Sequence, residues 1–481
     1  MTVNSLFFLV FLAGIYLFYY VVFPVKYRWL VLLAASVIFY IQACAASPVY
    51  VFLSAMCIWI AGMLMETQEK IKKKIILAAA VVFNLGLLLV LKYSGFFTAP
   101  LGISYYTLIA VGYVADVYKG KVQAQKNPAR LLLFLMYFPQ MTQGPVNRYQ
   151  PMAAQLYEGH RMGYHNLSYG CQRILWGFFK KLVIADNLHP AMQSLFDGYE
   201  TLGGVSCALA CIYMTVWMYA DFSGYMDIVA GTSELFGIHI AENFKRPFFS
   251  KSLAEYWRRW HITLCAWFRD YMFYPLAISS AAVRFGKFGR KHFGVRIGKL
   301  FPSLFALLFV WTCTGLWHEP NWRYVLWGAA NGFFIMGAMV MQPYFDAWKK
   351  AFRIPVKSRG WQIFCMVRTF LLVCLLKVFP GPKDTAAMAG VIRKIFTDIR
   401  LPGGWDEVLP GIGKGDAMCL GFAVLIVFAV DVIQEKQPVR DLLAQKYTLV
   451  RWICYLGVLA MILLFGQFNV SMTGGFAYAQ F

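Results

Sequence analysis

Charge is scarce in this sequence. Only 14% of the 481 residues are charged, against 60% hydrophobic, whereas soluble domains carry about 25% charged residues. A chain so poor in charge cannot be bounded by water on all sides, so its apolar surface belongs in lipid. Acidic residues are rarer still: 23 Asp and Glu against 45 Lys and Arg, a net charge of +22. The excess does not indicate nucleic acid, because no basic soluble domain carries it. The cations lie between apolar runs, where they set topology and meet anionic head groups. The eleven cysteines form no CxxC pair, and Cys57, Cys207, Cys211, Cys313, Cys374 and Cys454 lie inside apolar runs, so neither a disulfide framework nor a zinc knuckle is indicated. There is no HExxH, GxSxG or P-loop, and no internal repeat of the sort that marks many secondary transporters. Two histidines without a third spaced ligand make a weak metal site, and no metal is expected. The first apolar run is too long for a signal h-region, has no basic n-region and no cleavage site, and reads as a membrane helix.

What the sequence does hold is apolar runs of membrane length. Runs at 4–23, 29–45, 48–65, 75–94, 204–220, 303–317, 323–342, 361–379, 417–433 and 451–466 each approach the roughly 20 residues that span a bilayer. Two shorter runs, 100–118 and 131–143, are broken by polar residues and read as re-entrant or buried. An all-α polytopic membrane protein with ten to twelve spanning elements is predicted. Lys26 and Arg28, then Lys70 to Lys74, then Lys119 to Arg130 follow alternate runs, while the connection from Ala43 to Pro48 is uncharged. That alternation puts the N-terminus outside and the basic loops in the cytoplasm. Arg284 to Lys299, with six Lys/Arg, and Lys349 to Arg359, with five, join the cytoplasmic set. The turn at His318 between them then belongs to the extracytoplasmic side, or part-way down from it.

Two stretches carry chemistry. Residues 245–276, KRPFFSKSLAEYWRRWHITLCAWFRDYMFYPL, predict a helix from Ser252 to Phe273, capped by Ser252 with Glu255 three residues on. On it Trp257, Trp260, Leu264, Trp267 and Tyr271 share one broad face, His261 lies at the edge, and Arg258, Arg259 and Arg269 border it. Glu255 and Arg259 form an i, i+4 pair. An interfacial helix explains this composition, and so does a wall for an amphipathic donor, with aromatics for an acyl chain and arginines for phosphate. The second stretch, TGLWHEPNWRYVLWGAANG at 314–332, places His318 and Glu319 near membrane depth. Pro320 breaks the helix there, and Asn321 can cap a new one at Trp322. Ionisable groups at such depth point to function. A histidine suits proton abstraction from a hydroxyl acceptor, and two on separate elements can divide base and positioning roles. Asp221, Ser223, Tyr225 and Asp227 are expected to hydrogen-bond across helices. Arg148, Arg173, Lys180 and Lys181 are expected at head groups, with one free to hold a donor phosphate. His160, His165, His189, His239 and His292 are expected to be non-catalytic.

These two stretches resemble the membrane-bound O-acyltransferase family, most closely its bacterial alginate O-acetyltransferase branch and the related teichoic-acid D-alanyl transfer proteins. Blocks at 21–40 (VVFPVKYRWLVLLAASVIFY), 101–120, FPQMTQGPVNRY (138–149), 219–238 and the C-terminal GGFAYAQF extend the resemblance over the whole length. It implies a ring of transmembrane and tilted helices around a thin central wall, as one domain with N-terminal helices in 1–95, a catalytic core over about 100–345 and C-terminal helices over about 361–481. The family's catalytic His matches His318 and its second His matches His261, with Trp257, Arg258, Trp260, Trp267, Arg269, Trp317 and Asn321 as substrate-binding candidates. The implied reaction moves an acyl group, expected to be acetyl, from a cytoplasmic acyl-coenzyme A or acyl-carrier-protein thioester to an extracytoplasmic hydroxyl. No cofactor is expected to stay bound. The implied partners are a cell-surface glycan and a secreted acyltransferase- or esterase-like protein. D-alanyl transfer to teichoic acid, a glycan or lipid transporter without acyl transfer, and a scaffold for a secreted enzyme are the alternatives. Two departures stand out. Glu319 occupies a position that is often Gly in this branch, as a support for His318 or, the preferred reading, an exposed loop residue. Near Leu376–Pro380 only the cation Lys377 remains of a Phe-Phe-Arg-Ala element.

Overall fold

A computed structural model describes residues 5–43, 48–97 and 99–468. The block GGFAYAQF (474–481) and most of the uncharged connection at 43–48 lie outside the described residues. Within them the chain is helical, without a β-strand; a single isolated bridge joins Phe244 and Trp260. In chain order the helices are α1 (Leu6–Leu17), α2 (Arg28–Ala43), α3 (Val49–Glu66), α4 (Lys70–Leu88), α5 (Ile103–Tyr118), α6 (Pro128–Met136), α7 (Tyr149–Glu158), α8 (Tyr164–Phe178), α9 (Asp186–Asp197), α10 (Gly204–Leu235) and α11 (Leu253–Arg259). They continue with α12 (Ile262–Phe268), α13 (Tyr274–Ala277), α14 (Ser280–Gly298), α15 (Phe301–His318), α16 (Trp322–Ala351), α17 (Arg359–Leu376), α18 (Thr385–Thr397), α19 (Lys414–Gln434), α20 (Val439–Ala444) and α21 (Thr448–Phe465).

Nine helices among the described residues are long and apolar enough to cross a membrane: Val25–Ala43 (α2 with the turn before it), α3, Lys70–Tyr93 (α4 with a π-helical extension), α10, α15, α16, α17, α19 and α21; Leu6–Val22 is a shorter apolar helix. Each of the ten predicted spans overlaps one of these, nine of them a helix of membrane length, against the ten to twelve spanning elements expected. Many of their apolar side chains face outward: α21 buries only Ile462 and exposes Leu449, Ile453, Leu463 and Leu464. Water would penalise that surface by about 25 cal/mol per Å² and a lipid shell removes the cost. The chain is a multi-pass membrane protein.

The two shorter runs are internal. Helix α5 is buried along almost its whole length. Beyond α6, the irregular segment 137–147 is buried at every residue. Non-helical backbone inside a membrane protein must find its hydrogen bonds within the protein. Here Ser36 Oγ accepts from Phe138 N (3.1 Å), Thr263 Oγ1 accepts from Val146 N (2.9 Å), and Gln140 Oε1 accepts from Asn147 Nδ2 (2.7 Å); Thr142 and Tyr225 pair through their hydroxyls.

Helices α8 and α10 pack antiparallel at very short range, and the sequence explains why. Glycines recur seven residues apart on both, Gly170 and Gly177 facing Gly231 and Gly224. A Cβ at Gly177 would lie 2.5 Å from Gly224 O, and one at Gly231 would lie 2.6 Å from Gly170 O. Small residues at such spacing let backbones approach in a membrane. Charges fill the gaps between them. Arg173 binds Asp227 (3.0 Å), Glu234 (3.1 Å) and Glu242 (2.6 Å), and Lys180 binds Asp227 (2.6 Å) and Ser223 (2.8 Å). Lys181, in the π-helical link to α9, binds Asp186 and Asp221, both at 2.7 Å. The expected cross-helix role of Asp221, Ser223 and Asp227 is therefore observed, as is a hydroxyl contact for Tyr225. The expectation that Arg173, Lys180 and Lys181 face head groups is corrected: Lys180 and Lys181 are buried, Arg173 nearly so, and carboxylates on α9, on α10 and just beyond it neutralise them. A buried cation is tolerated only when paired in this way. Arg148 is half-buried against Asp270 (2.9 Å) and the Tyr271 ring.

Candidate active site

The predicted helix Ser252–Phe273 is three pieces. Ser252 caps α11 as expected, its hydroxyl accepting from Glu255 N (3.1 Å), and Arg259 pairs with Glu255 at 3.0 Å. The helix then stops at Trp260, His261 takes a left-handed backbone (φ 47°), α12 runs seven residues, and Arg269–Phe273 is a π-helical turn. The cause is a segment distant in sequence. Lys245 N donates to Arg259 O (2.9 Å) and Ile262 N donates to Asn243 O (3.0 Å), so residues 243–245 pull the chain open at Trp260 and His261. A non-glycine residue in this conformation costs about 1–2 kcal/mol and persists only when its surroundings hold it.

Asn243 supplies that hold. Its Oδ1 accepts from Thr263 N (3.0 Å), Thr263 Oγ1 (2.9 Å) and His261 Nδ1 (3.3 Å). Because a backbone amide can only donate, the bond from Thr263 N fixes which amide atom of Asn243 is oxygen. His261 must then carry its proton on Nδ1 toward Asn243, which leaves Nε2 as the basic nitrogen. The ring is buried, edge-on to Phe222 (centroids 4.9 Å).

His318 is the last residue of α15. Glu319 is extended (φ −157°), and Asn321 caps α16 by accepting from Arg323 N (3.1 Å). The open carbonyls at the end of α15 are met by two groups from the extension of α4. Lys92 Nζ donates to Trp317 O (3.0 Å), His318 O (3.3 Å) and Ser104 Oγ (2.9 Å), and Tyr93 OH donates to Leu316 O or Trp317 O (both 3.0 Å). A cation at a helix C-terminus satisfies both the orphan acceptors and the dipole. The His318 ring is buried among aromatics: Trp317 at 4.9 Å, Trp327 at 5.2 Å edge-on, and Tyr324 stacked at 5.9 Å.

Trp317 joins the two histidines, its ring 6.4 Å from His261 and 4.9 Å from His318. Trp257 belongs to the same wall, packed on Trp311 (5.1 Å) and Trp327 (5.6 Å) with its Nε1 donating to Asn331 Oδ1 (3.0 Å). Trp260 is buried between Phe244 and Tyr256 under the Lys377 ammonium. Other candidates stand apart. Trp267 donates to Leu108 O (2.8 Å) and packs on α5. Arg258 and Arg269 are exposed, Arg269 bound to Asp270 (2.9 Å). Glu319 is half-buried in the break after α15, with Arg323 at 3.9 Å. Lys92, Asn243 and Asn331 were not predicted. The signal for Lys92 was available: a lone cation inside the apolar run 75–94.

This arrangement suits proton transfer at a site screened from water. One imidazole has a fixed tautomer, the other ends a capped helix, and the wall around them is aromatic. Among the described residues no three His, Cys, Asp or Glu gather as a metal site.

The model of the MBOAT family, membrane-bound O-acyltransferases, matches residues 123–376, a range that includes both histidines. The probable alginate O-acetylase of Azotobacter vinelandii is 30% identical over 404 residues, covering 78% of this chain and 73% of that protein. Its Pseudomonas aeruginosa counterpart is 32% identical over 277 residues, covering 57% of this chain, which spans about half (47%) of that protein's length. The teichoic acid D-alanyltransferase of Bacillus subtilis is 29% identical over 290 residues, covering 58% and 68%.

Proposed function

This chain belongs to the membrane-bound O-acyltransferase family, and we propose that it transfers an acyl group, acetyl in the first reading, from a cytoplasmic thioester to a hydroxyl outside the membrane. The observation that carries the reading is the meeting of His318 and His261, from separate elements, around Trp317 inside an aromatic wall. His318 is the general base. It takes the proton of the acceptor hydroxyl as that oxygen adds to the thioester carbonyl, then returns it to the leaving thiolate. His261, its Nδ1 proton directed to Asn243, orients the reacting group with the basic Nε2. The aromatic rings exclude water, which would otherwise hydrolyse the activated donor. The donor is acyl-coenzyme A or an acylated carrier protein approaching the basic cytoplasmic loops, with the N-terminus outside. The acceptor is a cell-envelope polysaccharide or a secreted acyltransferase- or esterase-like protein that passes the group on, as suits relatives named for alginate O-acetylation.

The match to teichoic acid D-alanyltransferases supports a second reading, D-alanyl transfer from a carrier protein. Alkaline release of acyl groups from envelope polysaccharide separates the two. Deleting the gene should remove ester-bound acetate, restored by the wild-type chain and not by His318→Ala; loss of ester-bound D-alanine instead selects the second reading. An unchanged acyl content on deletion would leave a transporter or a scaffold and refute both.

A further inference from the structure

Four cations are buried among the described residues: Arg28, Lys180, Lys181 and Lys377. Three are provided for. Lys180 and Lys181 face carboxylates, and Arg28 donates to the carbonyls of Tyr20, Phe23 and His160 over two tyrosine rings. Lys377, just past the end of α17 and 4% exposed, is not. Among the described residues its one hydrogen bond goes to the thioether of Met218 (3.1 Å), and the Trp260 ring lies beneath it at 5.4 Å. An ammonium has three N–H donors, and a thioether is a weak acceptor. Burying such a charge unpaired costs several kcal/mol, and an ionisable group kept at such depth points to function.

The location indicates which anion. Lys377 sits over Trp260, the chain neighbour of His261. Lys92, bonded to the His318 carbonyl, spends its three donors on Ser104 and the end of α15. Glu319, the acid next to His318, lies beside Arg323. Of these two ammonium groups only Lys377 keeps donors to spare among the described residues, and acyl transfer places negative charge on the carbonyl oxygen as the base takes up its proton.

We propose that Lys377 holds the oxyanion of the acyl transfer. As the acceptor oxygen adds to the thioester carbonyl carbon, the C=O π pair moves onto the carbonyl oxygen, and Lys377 Nζ–H donates to it. His318 has by then accepted the hydroxyl proton. On collapse the oxygen pair re-forms the carbonyl, the C–S bond breaks, and the thiolate takes the proton from His318. Lys377 stays protonated throughout. This assignment rests on the acyl-transfer reading above, and its test separates the two.

Membranes carrying wild type, Lys377→Met, Lys377→Arg or His318→Ala are supplied with labelled acetyl-coenzyme A, and both polysaccharide-bound acetyl and free acetate are measured, alongside alkali-released acyl groups from intact cells. An oxyanion forms whether the acceptor is a sugar hydroxyl or water. Lys377→Met should therefore lower kcat for transfer and for hydrolysis alike, by about 10²–10³-fold, with donor KM within about threefold. Lys377→Arg, which keeps the charge, should stay within about tenfold of wild type. Lys377→Met should also be at least as heat-stable as the parent in detergent, because an unpaired buried charge has been removed. Transfer within about fivefold of wild type in Lys377→Met overturns the assignment. So does a loss confined to transfer onto an acidic polysaccharide with hydrolysis intact, which would make Lys377 a site for an acceptor carboxylate, and so does a loss that tracks unfolding in both Lys377 variants. If His318→Ala still transfers, the acyl-transfer reading itself falls, whatever Lys377 does.

Discussion

Asn243→Ala tests how His261 is held in its strained position. One oxygen accepts three donors, from Thr263 N, Thr263 Oγ1 and His261 Nδ1, and all three residues are buried. Removing it strands a backbone amide, which costs about 1–3 kcal/mol. The hydroxyl and imidazole donors can partly re-orient, and about 1 kcal/mol each is a fair allowance. The sum is about 4 kcal/mol, a large fraction of a typical folding free energy. The assay is thermal and denaturant unfolding in detergent, set in a cycle with Thr263→Val. Because the two residues share bonds, the double variant should be less destabilised than the sum of the singles, by about 1–3 kcal/mol. Acyl transfer should fall in Asn243→Ala even in the fraction that remains folded, because His261 is freed to rotate. Strict additivity of the two substitutions, or an Asn243→Ala protein as stable and active as wild type, would refute the idea that this network sets the histidine.

Lys181→Met leaves Asp186 and Asp221 buried without their shared cation; the expected cost is about 3–5 kcal/mol, seen as loss of monodisperse protein on size exclusion and partly recovered by adding Asp221→Leu. Glu319→Gln should keep transfer within about threefold of wild type, since the carboxylate is directed to Arg323; a hundredfold loss would make Glu319 a partner of His318. The proposed orientation predicts that, in a cysteine-free background, a single cysteine at position 290 is labelled by an impermeant maleimide only in inverted vesicles, whereas one at position 319 is labelled from outside; the opposite pattern would reverse the topology.

Hydropathy alone located the membrane helices, because a span must be apolar for some twenty residues whatever its neighbours do. The chain break at Pro320 and the caps at Ser252 and Asn321 were equally legible, since those effects are local. The break at His261 was not. Its tryptophan periodicity reads as one helix, and only the pairing of 243–245 with 259–262, a tertiary contact, opens it. The buried cations of α8 and the π-helical link after it were misread for a related reason: in isolation Arg173 and Lys180 look like head-group contacts. The correcting signal lay in two patterns together, cations seven residues apart at 173 and 180 and acids seven apart at 227 and 234, each interleaved with glycines at the same spacing. Neither pattern is informative without its partner, and nothing local states which helices pack. Lys377 was noted as a cation, but that no carboxylate among the described residues pairs with it becomes visible only in three dimensions.

The central claim is that His318 is the base of an acyl transfer. It is tested most directly in proteoliposomes that hold the purified chain, with labelled acyl thioester on one side and acceptor on the other. His318→Ala should bind the donor as wild type does and lose about 10²–10⁴-fold in the rate of covalent transfer, while His261→Ala loses less. Transfer at the wild-type rate by folded, membrane-inserted His318→Ala would contradict the account.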